Sequence, residues 1–203
     1  MDIARIVCAC LPLVFRIKKR TAEGQKYRQR IEGGAIIAAN HTSFADPFIV
    51  GTAFWYRRVF FLAAEVVMKG KLRSFLLKGV GAIKIDRNKA DLEAIKKSVD
   101  ILKQGHLLSV FPQGGIVRDG ECETLKSGAV LMAMQADVPI IPIYIHKRKN
   151  FFKCMRVTVG DAIYPKQLCA KKFPSTQDIN GITDLLAKEM RRISATDTTE
   201  ETI

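Results

Sequence analysis

Short apolar runs, each too brief for a helix, recur along this chain and alternate with segments of helical spacing. The runs are Ala35–Ala39, Val59–Ala64, Gly81–Ile85, Leu107–Phe111, Pro139–Ile145 and Met155–Val159. Brief apolar runs bounded by turn residues read as strands. After Pro47, which a helix tolerates in its first turn, Phe48, Ile49, Thr52, Ala53 and Trp55 follow helical spacing. Residues 89–104 carry the clearest helical face, through Leu92, Ile95, Val99 and Leu102, and Gly105 stops it. Leu125–Ala136 reads as a helix with Leu131 and Met134 in the core, and residues 178–193 as one packed through Ile182, Leu185, Leu186 and Ile193. This alternation predicts a single α/β domain with a central mixed sheet flanked by helices. Pro139 and Pro142 predict that the ends of their strand lie at a sheet edge or a bulge.

The N-terminus reads differently. Ile6–Phe15 is apolar but far shorter than the roughly 20 residues that span a bilayer. Arg16, Lys18, Lys19 and Arg20 follow it, the reverse of the charge order of a secretory signal. A short interfacial helix resting on anionic headgroups fits this pattern, and an ordinary first helix packed on the domain is the alternative. Residues 1–20 are therefore expected to be a membrane-interface segment, 21–193 the folded domain and 194–203 a flexible tail, with the polar stretch 16–30 as the link. Residues 66–79 mix Lys69, Lys71, Arg73 and Lys78 with Met68, Leu72, Phe75, Leu76 and Leu77. That mixture fits either an amphipathic membrane face or core packing.

Charge narrows the partners. The net charge of +13 is clustered, with seven basic residues and one acid from Arg16 to Arg30 and eight against Asp161 from Lys147 to Lys172. Such a surface favours polyanions, either nucleic acid or anionic lipid. No helix-turn-helix pattern, aromatic RNA-binding run or zinc spacing supports nucleic acid. The five cysteines, Cys8, Cys10, Cys122, Cys154 and Cys169, form neither a metal-ligand set nor a disulfide framework. They predict reduced thiols and a cytoplasmic setting, and no metal is expected.

Two strings carry the chemistry. Asn40-His41-Thr42-Ser43-Phe44-Ala45-Asp46 follows the first apolar run, and Phe111-Pro112-Gln113-Gly114-Gly115 closes the fourth. An imidazole held by a carboxylate can take a proton from a hydroxyl near pH 7. His41 is the candidate base and Asp46 the group that orients it. Ser43 reads as a loop-capping residue rather than a nucleophile. The Pro-x-Gly-Gly turn brings backbone N–H groups near whatever binds there.

Together these strings resemble the glycerolipid acyltransferases, which include lysophosphatidate acyltransferase. Gly81-Ala82-Ile83-Lys84-Ile85-Asp86-Arg87 resembles the family's second block, and Val138-Pro139-Ile140-Ile141-Pro142-Ile143 its fourth. Lys126-Ser127-Gly128-Ala129 lies where the family starts a helix. The resemblance covers about Ile36 to Ile145. It implies acyl transfer from acyl-CoA or acyl-carrier protein to a lysophospholipid hydroxyl, at the cytoplasmic face of a membrane, by a peripheral or monotopic protein that uses no cofactor. It implies that Arg87 binds the acceptor phosphate, and that Gln113, Gly114 and Gly115 line the acceptor site. Lys84 stands where the family has an aromatic and would add charge to the cleft or touch headgroups. Arg118 stands in for the arginine that follows the family's third block. Gln113 replaces the usual glutamate, and Gly115 the usual threonine. That departure leaves three readings: a lysophosphatidate acyltransferase, an enzyme for another lysolipid, and a lipid-binding relative with weak catalysis.

Overall fold

The computed structural model describes residues 17–64, 77, 81–86, 91–116, 125–147, 154–171 and 173–196. Its strands are β1 (Ile17–Thr21), β2 (Ala35–Ala39), β3 (Val59–Ala64), β4 (Ala82–Ile85), β5 (Leu107–Val110), β6 (Ile140–Ile145) and β7 (Met155–Val159). The helices are α1 (Asp46–Ala53), α2 (Leu92–Lys103), α3 (Gly128–Ala136), α4 (Pro165–Leu168) and α5 (Thr176–Ala195). All six apolar runs of the sequence become strands. The strands form one sheet in the order β1-β7-β6-β2-β5-β3-β4. β2, β3, β4, β5 and β6 run the same way, whereas β7 is antiparallel to β6, and β1 is parallel to β7.

Every residue of β2 is buried, because both faces of the sheet are covered. On one face Ile36, Ala38, Leu108, Val110 and Ile140 pack against α2, α3 and α5. On the other, Ala35, Ile37, Ala39, Leu107 and Ile143 pack against α1, around Ile49, Val50 and Phe54. β2 is flanked on both sides, with Ile37 level with Ser109 of β5 and Ile141 of β6. The carboxyl ends of β2, β5 and β6 therefore emerge together, where ligands bind in open sheets of this kind.

Two expectations need correction, and a third is narrowed. Residues 16–30 are not merely a link, since Ile17–Thr21 is an edge strand whose residues pair from Ile17↔Met155 to Thr21↔Val159. Three consecutive basic residues hid it from the hydrophobic pattern. They are the side chains that keep an exposed edge from pairing with another chain. Lys19 is held on the α1 face, its ammonium 5.0 Å from the ring centre of Phe54, 5.4 Å from Tyr56 and 5.6 Å from Tyr27. Burial there lowers its pKa.

Next, of the edge and the bulge expected for this strand, it is the bulge that forms, since β6 is interior. Pro142 sits at that bulge, and Pro139 precedes the strand. Ile143 pairs with Val159, and Gly160 donates to the Pro142 carbonyl, yet Ile140 pairs with Ile163. Between these pairs Ile141 and Pro142 of β6 face Gly160, Asp161 and Ala162, one residue more, so the missing proline N–H falls where the ladder is already irregular.

Finally, helix periodicity misplaced some faces. Leu92 is 75% exposed and Leu185 41% exposed. In α2 the expected Val99 and Leu102 are buried and Ile95 packs against them, but Ala94, Ser98 and Ile101 complete the core in place of Leu92. Leu92 is the first residue of α2, capped by the Asp91 carboxylate, and it lies beyond the packed layer. In α3, Leu131 and Met134 are half-buried, while Val130, Met132 and Ala133 fill the core. That helix is apolar all round, so its pattern could not select a face. The two described cysteines, Cys154 and Cys169, are free thiols.

Candidate active site

The loop after β2 folds around one carboxylate oxygen. Asp46 Oδ2 accepts from the backbone N–H groups of Thr42 and Ser43, each at 2.7 Å. The same oxygen lies 3.0 Å from His41 Nδ1. Asp46 is 1% exposed and His41 7%. An ionised carboxylate only accepts, so the shared proton sits on Nδ1 and leaves Nε2 as the basic nitrogen. Ser43 Oγ accepts from Ala45 N–H at 3.1 Å, which caps the loop. Asp46 then opens α1, with Pro47 in its first turn.

The second string completes this arrangement. The Phe111 ring stacks on the His41 imidazole, with centroids 4.2 Å apart and planes 23° apart. Gln113 Oε1 accepts from the backbone N–H of His41 at 2.9 Å, across 72 residues of sequence. Gly114 N–H donates to Phe111 O within the turn, and Lys126 N–H donates to Pro112 O, which fixes the approach to α3. Gly114 has φ +76°, and a Cβ there would come within 2.7 Å of Lys126 Cε. Only glycine suits both the backbone and the lysine stem that crosses it. Among the described residues, nothing beyond its chain neighbours lies within 4 Å of a Cβ built on Gly115.

Two contributors escaped the sequence reading. Asn40, 3% exposed, accepts from Ile145 N–H at 2.7 Å and donates to Ile145 O at 3.1 Å. Its side chain extends the β2–β6 ladder by one imitation of backbone pairing, directly before His41. Phe111, read as the end of a strand, supplies the flat surface behind the imidazole. The only signal for either was its place beside a polar motif at the end of an apolar run.

A cavity of about 450 Å³ lies on the α2–α3 side of these loops. Phe111, Pro112 and Gly114 are shared between the cavity wall and the second string. Leu62, Ile85, Ile95, Val110 and Met132 give the cavity an apolar interior, with Asp86, Asp91 and Lys126 also lining it. It falls in the size range of small-ligand sites. Asp91 is not a ready proton acceptor. The N–H groups of Ala94 and then Asp86 hold its carboxyl below the usual range, and the charge of Lys84 adds to this. Lys84 itself is exposed on β4 and does not line the cavity. Arg87 and Arg118 lie outside the described residues.

His146 is the competing imidazole near the site. Its Nε2 is 2.7 Å from Thr158 Oγ1, and burial, with a smaller push from Arg156, lowers its pKa to about 4. It is neutral at pH 7 and serves the β6–β7 scaffold. Among the described residues, no group of three or more His, Cys, Asp or Glu side chains could hold a metal ion. Nor is any helix among them long and apolar enough to cross a membrane.

A family model described as Acyltransferase matches residues 19–146. Curated proteins described as 1-acyl-sn-glycerol-3-phosphate acyltransferases are among those this chain resembles. The 1-acyl-sn-glycerol-3-phosphate acyltransferase of Bacillus subtilis (strain 168) is 24% identical over 167 residues, spanning 80% of this chain and 82% of that protein. The protein of the same description from Borreliella burgdorferi is 26% identical over 123 residues, spanning 60% of this chain but only 49% of that protein. The crystal structure of the 1-acyl-sn-glycerophosphate (LPA) acyltransferase from Thermotoga maritima matches with a TM-score of 0.64 at 16% identity, covering 97% of this chain and 79% of that one. At that identity the likeness is one of fold.

Proposed function

The chain belongs to the Acyltransferase family, and from that premise we propose that it moves a fatty acyl group from acyl-CoA or acyl-carrier protein to the free hydroxyl of 1-acyl-sn-glycerol-3-phosphate, making phosphatidate. The observation that carries this reading is the buried His41–Asp46 pair, whose geometry leaves Nε2 as a base. The acceptor hydroxyl gives its proton to Nε2 as its oxygen attacks the thioester carbonyl. Collapse of the tetrahedral adduct breaks the C–S bond, and the imidazolium returns the proton to the departing thiolate. Asp46 stabilises the imidazolium between these steps. The chemistry needs only the two substrates, and no acyl-enzyme forms. The apolar cavity beside Phe111 suits an acyl chain. The acceptor and product are membrane lipids, so the protein works as a peripheral enzyme on the cytoplasmic face.

The direct test follows thiol release from acyl-CoA and acyl-carrier protein with lysophosphatidate and with lysolipids bearing other headgroups. Turnover with lysophosphatidate well above the rest supports the reading. Preference for another headgroup moves the acceptor, and binding of lysolipid without turnover on any acceptor would refute catalysis.

Gln113 and Arg87 make separate predictions. Gln113 Oε1 holds the His41 backbone, and a glutamate could accept the same bond. Gln113→Ala should lower kcat by up to roughly tenfold, the worth of one hydrogen bond, with Gln113→Glu recovering most of the loss. A change confined to the acceptor KM would assign Gln113 to acceptor binding instead. Arg87→Ala should raise the KM for lysophosphatidate by roughly tenfold or more, since guanidinium–phosphate bonds are charge-assisted. The thioester KM should hardly move. Equal rises in both would show that Arg87 holds phosphates of the donor.

A further inference from the structure

The stretch that carries the catalytic aspartate presents an apolar face to solvent. Phe44 is 74% exposed, Phe48 39% and Trp55 53%. Their spacing of 4 and 7 residues places them within one sector of α1 and its flanking turns. From Thr42 to Tyr56 the one charged side chain is Asp46, and it is buried. A surface helix ordinarily turns charged residues outward, so one that turns out aromatic rings instead is suited to a partner that is itself apolar.

The surroundings identify that partner by charge. From residue 17 to 64 there are eight basic residues: Lys18, Lys19, Arg20, Lys26, Arg28, Arg30, Arg57 and Arg58. The acids of that span are Glu23, Glu32 and the buried Asp46. Arg30 is exposed, with its guanidinium 5.5 Å from the Tyr56 ring, next to Trp55 in sequence. Lys19 sits against Phe54 and Tyr56. Aromatic rings beside a cationic rim match the headgroup level of an anionic bilayer, where rings settle and basic residues meet lipid phosphates. A protein partner with an apolar patch would not call for the cationic rim.

We propose that this face of α1, with Phe44, Phe48 and Trp55 seated at headgroup level and Arg30 on lipid phosphate, docks the domain on an anionic phospholipid surface. Phe44 lies three residues from His41. Docking there brings the base loop to the lipid, so that an acceptor can reach it without crossing water. The proposal rests on the membrane-lipid reading of the acceptor, but its test measures docking without turnover, so the two can fail separately.

Trp55 is the only tryptophan in the chain, which makes its fluorescence a reporter of this face. The full chain is mixed with vesicles of phosphatidylglycerol and phosphatidylcholine, with and without bromine on the acyl chains near the headgroup. In buffer, the emission should be that of a water-exposed indole. Vesicles should shift it to the blue, and the brominated lipid should quench it. Phe44→Ser and Phe48→Ser should each weaken vesicle partitioning by roughly tenfold, the cost of one large apolar side chain left in water. Arg30→Glu should weaken it on anionic vesicles alone. Vesicle-bound protein with unchanged, unquenched Trp55 emission would show docking by another surface and overturn the proposal. So would emission already blue-shifted in buffer, which would mean that the N-terminal residues or a second copy cover the face. Absence of any binding to anionic vesicles would overturn it as well. The fluorescence readings use the unaltered chain, so they decide the matter even if a variant misfolds.

Discussion

Replacing His41 with alanine should cost about 10²–10⁴-fold in kcat, the usual contribution of a positioned general base. The expectation follows from the proton count. The Asp46 carboxylate is bound by two backbone N–H groups and the imidazole, so Nδ1 carries the proton and Nε2 is open to accept one. With alanine there, the acceptor hydroxyl must transfer its proton to water as it attacks. The Thr42 and Ser43 bonds to Asp46 do not involve the imidazole and should persist, as should the backbone bond to Gln113. The loop should therefore keep its shape, and the thermal midpoint should fall modestly, mainly through lost contact with Phe111. Thiol release at saturating substrates, read beside circular dichroism, checks this. A folded variant that keeps more than about a third of the rate would show that His41 is structural, because a general base is worth far more than that.

Asp46→Asn should come close in severity, by a different route. Asparagine keeps one oxygen for Thr42 or Ser43 but turns an amide N–H toward the imidazole or loses the contact. Facing a donor, Nδ1 becomes the acceptor and the proton moves to Nε2, which is then no longer a base. Such a wrong tautomer costs on the order of 10⁴-fold in the best-studied hydrolase triads. Here a loss of at least 10²-fold is expected, carried by kcat with little change in either KM. Some stability should go with it, about 1–3 kcal/mol, since bonds to a buried carboxylate are charge-assisted. A variant that loses stability but keeps its kcat would make Asp46 a loop anchor and nothing more.

The His41–Asp46 pair was legible because it is local. Five residues bridge a strand end and a helix start, and both side chains are polar beside an apolar run. The strands were legible for a related reason. Burial on both faces leaves β2 and β6 as nearly unbroken apolar runs, which no surface segment imitates. β1 was not, because Lys18, Lys19 and Arg20 occupy an edge whose stability comes from pairing with β7 and from three rings over Lys19. Nor could the pattern foresee that Leu92 overhangs the packed layer, since its spacing fits the helix face and only its position at the first turn exposes it. The roles of Asn40 and Gln113 were hidden for want of locality. Their partners lie 105 and 72 residues away, and nothing short-range marks a side-chain amide as a backbone surrogate. Arg87 and Arg118, with residues 1–16 and all of 66–79 but residue 77, lie outside the described residues, and their roles stand as expectations.

The amide of Asn40 has a consequence for how the protein comes into being. On a ribosome, His41 and Asp46 leave the exit tunnel early and can form their local loop at once. The support for that loop arrives much later. Gln113 emerges about seventy residues behind, and Ile145 more than a hundred behind, as the strand that must lie beside β2. Until β6 slides in next to β2, the Asn40 amide has no strand to imitate and the base has no fixed direction. Nascent chains shorter than this would carry the His41–Asp46 pair without the frame that aims it. In the mechanism proposed above, completion of the sheet rather than synthesis of the motif would switch the enzyme on, and a chain stalled halfway would present Phe44, Phe48 and Trp55 with no aimed base behind them.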